Sequence, residues 1–254
     1  MKMPIRFIQF LLILLCLVVV SCQNTSKNQS PQIILWAWER PEDLRFIDTK
    51  EFGVAFLAQT LTLQSDEVVY QPRRQPLQIA GGTFLIAVTR IESNRDPAKT
   101  IALSLEQQKN IVQHVKKTVE LTDVKGVQID FDALLSERAF YRELLSEIRK
   151  TLPENYPLTI TALTSWCLGD AWLSGLPIDD AVPMAFDMGP DKKAVTDLLA
   201  QGGDWEESVC KNSYGISLDG PAIRGLRQDR RFYYFKSTSW QEHDLDKIKS
   251  FHEK

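Results

Sequence analysis

Apolar residues fall into two rhythms along this chain. One is the short, nearly unbroken apolar run, as in Ile33-Ile-Leu-Trp-Ala-Trp38 and Phe84-Leu-Ile-Ala-Val88. Such runs mark strands covered on both faces. The other is the three-to-four-residue repeat of an amphipathic helix. It puts Ile111, Val115 and Val119 on one face of a helix ending near Leu121, with Ser104-Leu-Glu-Gln107 as its capping box. It also puts Phe140, Leu144, Leu145 and Ile148 on one face of a helix over 136–152. Strands are predicted over 32–38, 53–63, 83–91, 126–132, 158–163, 181–188, 213–218 and 231–237. Shorter helices are predicted over 43–48, 191–199 and 242–252, with 169–176 a short helical or loop piece. Segments 67–70 and 76–79 read as an extended excursion bearing prolines.

Eight strands with helices between several of them give an α/β chain, a (β/α)8 TIM-like barrel with some short or missing helices. An open doubly wound sheet is the alternative. No Gly-rich phosphate loop follows a strand, because Gly81-Gly82 precedes one.

The fourth strand departs from the apolar pattern. In Val124-Lys-Gly-Val-Gln-Ile-Asp-Phe-Asp132, Val127, Ile129 and Phe131 point one way, and Gln128, Asp130 and Asp132 the other. A half-exposed surface strand can carry this pattern. Inside a covered sheet, a polar file is costly unless it is hydrogen-bonded or catalytic.

The N-terminus changes the picture of where the protein works. Lys2 and Arg6 precede a mostly apolar stretch over 7–20 that runs into Val19-Val-Ser-Cys22. It has the length of a signal h-region and is short for a membrane span. The ending resembles the lipobox of bacterial lipoproteins, in which Cys22 becomes a lipid-modified N-terminus. This implies a signal peptide over 1–21, a polar tether over 22–31 and a single domain over 32–254. The expected localisation is a membrane-anchored lipoprotein of a bacterial cell envelope, with the membrane as partner. Removing 1–21 takes away Lys2 and Arg6 and moves the formal net charge from -3 to -5. No basic run supports a nucleic-acid partner. Cys167 and Cys210 can pair in an exported protein, or remain two buried thiols. The three histidines are scattered and no Cys/His spacing suits a metal, so neither metal nor cofactor is expected.

In a (β/α)8 barrel the chemistry sits at the C-terminal strand ends. There the chain places Trp38, Glu39 and Arg40, then Arg90 and Glu92, Asp130 and Asp132, Trp166, Asp187, Asp219 and Trp240. Carboxylates ringed by tryptophans suit a sugar: acids handle the glycosidic oxygen and aromatic faces stack on pyranose rings. Singly, each has a plainer reading, such as a turn for Asp219 or a helix cap for Asp132.

Lys125-Gly-Val-Gln-Ile-Asp-Phe-Asp132 resembles the fourth-strand motif Asp-Gly-x-Asp-x-Asp-x-Glu of chitinase-like glycoside hydrolases of family 18. Met184-Ala-Phe-Asp187 resembles their sixth-strand Met-x-Tyr-Asp, and Trp240 their eighth-strand tryptophan. The runs Val127–Ala133, Thr161–Cys167 and Val182–Gly189 resemble more closely a bacterial lipoprotein family known as domain of unknown function 3142. The resemblance implies Asp130, Asp132 and Asp187 as catalytic carboxylates. Trp38, Glu39, Gln128, Trp166 and Trp240 are the candidate glycan ligands. The departures are specific. Asp132 stands where the family's acid is Glu, with about 1.5 Å less reach, one C–C bond. Lys125 and Gln128 replace two aspartates, and Phe186 replaces a tyrosine. Three functions follow: a glycoside hydrolase on an acidic or N-acetylated glycan, a glycan-binding barrel without turnover, or a structural envelope protein.

Overall fold

The computed structural model describes residues 30–94, 100–154, 156–186 and 188–253. The signal segment, Cys22 and Asp187 lie outside the described residues.

The strands in chain order are β1 (Ile33–Ala37), β2 (Glu42–Leu44), β3 (Phe52–Gln64), β4 (Glu67–Pro72), β5 (Leu77–Ile79) and β6 (Phe84–Ser93). They continue as β7 (Val124–Asp130), β8 (Leu158–Ala162), β9 (Asp180–Pro183), β10 (Ser213–Ser217) and β11 (Arg231–Phe235). Eight of them pair in parallel in the order β10-β11-β1-β3-β6-β7-β8-β9. A single bridge, Met184 to Gly215, with Ala185 N donating to Gly215 O at 2.7 Å, brings the two ends together. The result is a nearly closed (β/α)8 barrel. Backbone approach at this seam requires glycine. A Cβ on Gly215 would lie 3.1 Å from the Pro183 carbonyl oxygen and 3.2 Å from the Phe235 ring.

Among the described residues four α-helices surround it: α1 (Leu105–Val119), α2 (Arg138–Thr151), α3 (Lys192–Ala200) and α4 (Glu242–His252). Ser104 and Gln107 form the expected capping box of α1. Among the described residues no α-helix joins β1 to β3, β3 to β6, β8 to β9, or β10 to β11. The excursion after β3 forms β4, antiparallel to β3, and β5, which pairs with β2. The helix expected over 43–48 is not there. Its start is strand β2, because Asp43 spends its carboxylate on the Arg45 backbone N–H and guanidinium. Local bonds of this kind compete with a helical turn.

Strand alternation sorts the apolar side chains into two cores. Ile34, Trp36, Ala55, Leu57, Ile86, Val88, Val182, Tyr233 and Phe235 fill the barrel. Leu35, Val54, Ala87, Val127, Ile129 and Phe131 face the helical layer instead, with Phe140, Leu144, Leu145 and Ile148 of α2 in the same core. Cys167, after β8, and Cys210, before β10, form a disulfide with Cα atoms 5.9 Å apart.

The N-terminal end of the barrel holds a buried carboxyl. Asp180 opens β9, and its Oδ1 accepts from Ser213 Oγ at 3.0 Å. Burial pushes its pKa up to about 7, against the Ser213 bond and the Arg231 charge, which lower it.

Candidate functional site

At the opposite, C-terminal mouth, register brings the polar files together. Arg90 of β6 pairs with Asp130 of β7. Beyond it, Thr161 of β8 donates its hydroxyl to Asp130 Oδ1 at 2.6 Å. Arg90 Nη1 stands 3.9 Å from Asp130 Oδ2, and its Nε donates to Glu92 at 2.8 Å. The same guanidinium lies 5.6 Å from the Trp38 ring centroid, within cation–π range. Asp130 is buried at 8% exposure. Burial raises its pKa, Thr161 and Arg90 oppose that, and the charges of Asp132 and Glu92 add to it. Asp132 lies two residues past the strand end and is exposed. Behind the pair, Tyr141 of α2 is fully buried, and burial followed by the Asp130 and Asp132 charges pushes its phenol well up.

Asp130, Asp132 and Arg90 line an open cleft of about 370 Å³, within the roughly 300–1,000 Å³ of small-molecule sites. Trp38, Leu163, Phe186 and Phe235 supply its apolar wall, and Thr164, Ser165 and Asp191 its polar rim. A second hollow of about 240 Å³ shares the three charged residues and adds Glu92 and Ser93. The apolar wall is built on a run of aromatic contacts. Phe186 meets Phe235 at 4.7 Å, Phe235 meets Trp36 at 5.1 Å, and Trp36 meets Trp38 at 4.2 Å. Arg73 fixes the Trp38 end by donating to the carbonyls of Trp38 and Arg40, each at 2.6 Å.

The structure therefore unites Asp130, Asp132 and Trp38 in the cleft and leaves Glu39, Gln128, Trp166 and Trp240 off its lining. Gln128 is fully buried inside the barrel. It accepts from Trp36 Nε1 at 2.8 Å and donates to Thr159 at 3.2 Å, so its amide serves the core and meets no ligand. Trp166 is 2% exposed and packs edge-on against Trp172 at 4.9 Å, in the helical layer. Trp240 is also 2% exposed, with its indole donating to the Trp36 carbonyl and its backbone N–H to Glu42. Neither lines the cleft at the barrel mouth. Glu39 is exposed but outside the cleft, and it accepts the backbone N–H groups of Arg74 and Gln75. Asp187, between the cleft residues Phe186 and Met188, lies outside the described residues. Thr161 was not among the candidates. Its signal is the alternation Thr159-Ile-Thr161, which continues the polar file of β7 on the neighbouring strand.

No family profile and no curated protein matches the chain. Among solved structures, a candidate chitinase A from Streptomyces coelicolor superposes at TM-score 0.54 and 10% identity, over 87% of this chain and 94% of that one. The chitinase domain of the spore coat protein CotE from Clostridium difficile gives 0.45 and 12%, over 84% and 67%. A chitinase from Rhizomucor miehei gives 0.42 and 13%, and the match spans 61% of this chain and 57% of that enzyme. At these identities the likeness is one of fold, and the Streptomyces coelicolor structure is the one that supports the barrel over nearly its whole length.

Proposed function

We propose that this barrel binds a glycan at its C-terminal mouth and hydrolyses a glycosidic bond there. The observation that carries the reading is the convergence of Asp130 and Asp132 with the Trp38 face in one open cleft. A carboxyl pair beside an aromatic wall is what such chemistry uses. Asp132, exposed at the mouth, is the acid: it gives its proton to the leaving oxygen as the C1–O bond breaks. Water then adds to C1 and returns a proton to the carboxylate. Asp130 stands behind it as a carboxyl that burial keeps protonated to higher pH, a hydrogen-bonding partner to the reacting group. The chitinase-like neighbours agree with this reading. So does the place of the buried Asp130 on the cleft lining, since a purely structural network has no need to reach a cleft.

The test is reducing-sugar release from a panel of amino-sugar, uronic-acid and neutral oligosaccharides. Wild type releases product from one class, and Asp132→Asn and Asp130→Asn lower the rate at least a hundredfold. Equal release by wild type and Asp132→Asn removes the reading. One feature favours a second reading, a glycan-binding barrel without turnover: Phe186 lays a ring with no hydroxyl against Phe235 where a polar group could meet the sugar. Saturable sugar binding, weakened by Trp38→Ala and with no turnover, selects it.

We also propose that the protein is held on a membrane through a lipid on Cys22. The apolar stretch over 7–20 and the Val-Val-Ser-Cys ending support this. The Cys167–Cys210 disulfide supports export, since such bonds persist in oxidising compartments. Metabolic labelling with an alkyne fatty acid marks wild type and not Cys22→Ala. Label retained in that variant rejects the anchor.

A further inference from the structure

The outer face of a barrel wall needs cover, and helices usually give it. The connection between β10 and β11, residues 218–230, has no α-helix. Its loop is seated against the end of α3 instead. Gly225 has a φ of +80°, and a Cβ there would lie 1.8 Å from the Leu199 carbonyl oxygen. Where the missing helix would lie there is a cavity of about 320 Å³. Ile216 and Tyr234 come from the strands, Ile223 and Leu226 from the loop, and Ile248 and Phe251 from α4. Among the described residues no carboxylate lines it. Its charged lining is Lys192, the first residue of α3, and Lys247 of α4, both exposed. Lys247 has a loose contact, 3.8 Å, with Asp244.

We propose that this hollow binds a single-chain carboxylate, a medium-chain fatty acid, with its alkyl chain in the cavity and its head group between Lys192 and Lys247. The apolar interior selects a hydrocarbon chain over a sugar, at roughly 25 cal/mol per Å² of apolar surface removed from water. Two ammonium groups, with no carboxylate among the described lining residues, select an anionic head over a neutral or cationic one. The small volume selects one chain over the two of a phospholipid. The cavity shares Phe186 and Met188 with the wall of the cleft at the barrel mouth and is otherwise separate from it.

The experiment is titration calorimetry of the full chain with sodium decanoate and with decyltrimethylammonium. Two variants accompany wild type: Ala222→Trp, which puts a ring over the cavity from an exposed lining position, and the double variant K192E/K247E. Circular dichroism checks that both are folded. The expected result is one-to-one saturable decanoate binding, at least tenfold weaker in each variant, with no saturable binding of the cation. Three results overturn the proposal: no saturation by decanoate, unchanged affinity in both variants, or equal affinity for the cationic amphiphile. Binding to phosphatidylglycerol vesicles without binding to decanoate also overturns it, in favour of a membrane contact.

Discussion

Asp180 should make the stability of the barrel fall as pH rises through neutrality. Its carboxyl has a pKa of 3.8 when free in water and about 7 in the fold, with burial the main cause. The folded state therefore holds a proton that the unfolded chain has released. A group raised in this way contributes stability that is fully present below 3.8 and lost as pH climbs through about 7. Over the whole window the difference is about 4 kcal/mol, at about 1.36 kcal/mol per unit. Between pH 5 and pH 8 it is about 3 kcal/mol. Asp180→Asn removes the titration while leaving an oxygen for Ser213 Oγ to meet. Urea unfolding of both proteins at several pH values between 5 and 8 isolates the effect, since other groups cancel in the difference. The stability of wild type relative to the variant should drop by 2 to 3 kcal/mol, roughly, across that range. A difference that stays constant within about 0.5 kcal/mol would show that Asp180 titrates as an ordinary carboxyl and that the barrel floor is wetter than its burial indicates.

Three further outcomes follow from the packing. Cys167→Ser with Cys210→Ser frees a loop whose ends are 43 residues apart, and loop-closure entropy puts the loss at about 4 kcal/mol, read as a lower urea midpoint. Trp240→Ala lowers stability by about 3–5 kcal/mol, because the indole is a buried core group, and leaves any sugar affinity within twofold of wild type once the folded fraction is corrected for; a selective loss of binding would restore it to the site. Gly215→Ala presses a methyl on the Pro183 carbonyl at the seam and costs about 1–3 kcal/mol, with faster amide exchange at Ala185 than in wild type as the local sign.

The barrel was legible because several strands are nearly unbroken apolar runs and eight strand segments alternate with helical patterns, which few other folds can bury. The face of each β7 residue was legible too: Val127, Ile129 and Phe131 do face the helices. Depth was not. A two-residue rhythm reports a face, while Gln128 lies about 6.6 Å below Asp130 along the strand, far enough to turn a candidate ligand into a core bond with Trp36. The tryptophans failed for another reason. Trp166 falls in a 3-10 turn over Thr164–Cys167, where strand alternation no longer applies. Trp240 follows a loop turned inward by the buried Lys236–Asp244 pair and by Glu42. Those partners are close in space and remote or unpatterned in sequence. Arg90 and Thr161 were within reach, since register alone sets them beside Asp130.

The seam is where this barrel is held by the fewest backbone bonds. β9 has a four-residue ladder to β8 on one side and the single Met184–Gly215 bridge on the other. The strands of the β1–β3–β6 wall are each held by more. The segment after β9 carries Phe186 and Met188, the wall common to the cleft and the outer hollow. Cys167 and Cys210 sit on the connections that lead into and out of β9, so the disulfide closes a covalent loop around the strand that backbone pairing secures least.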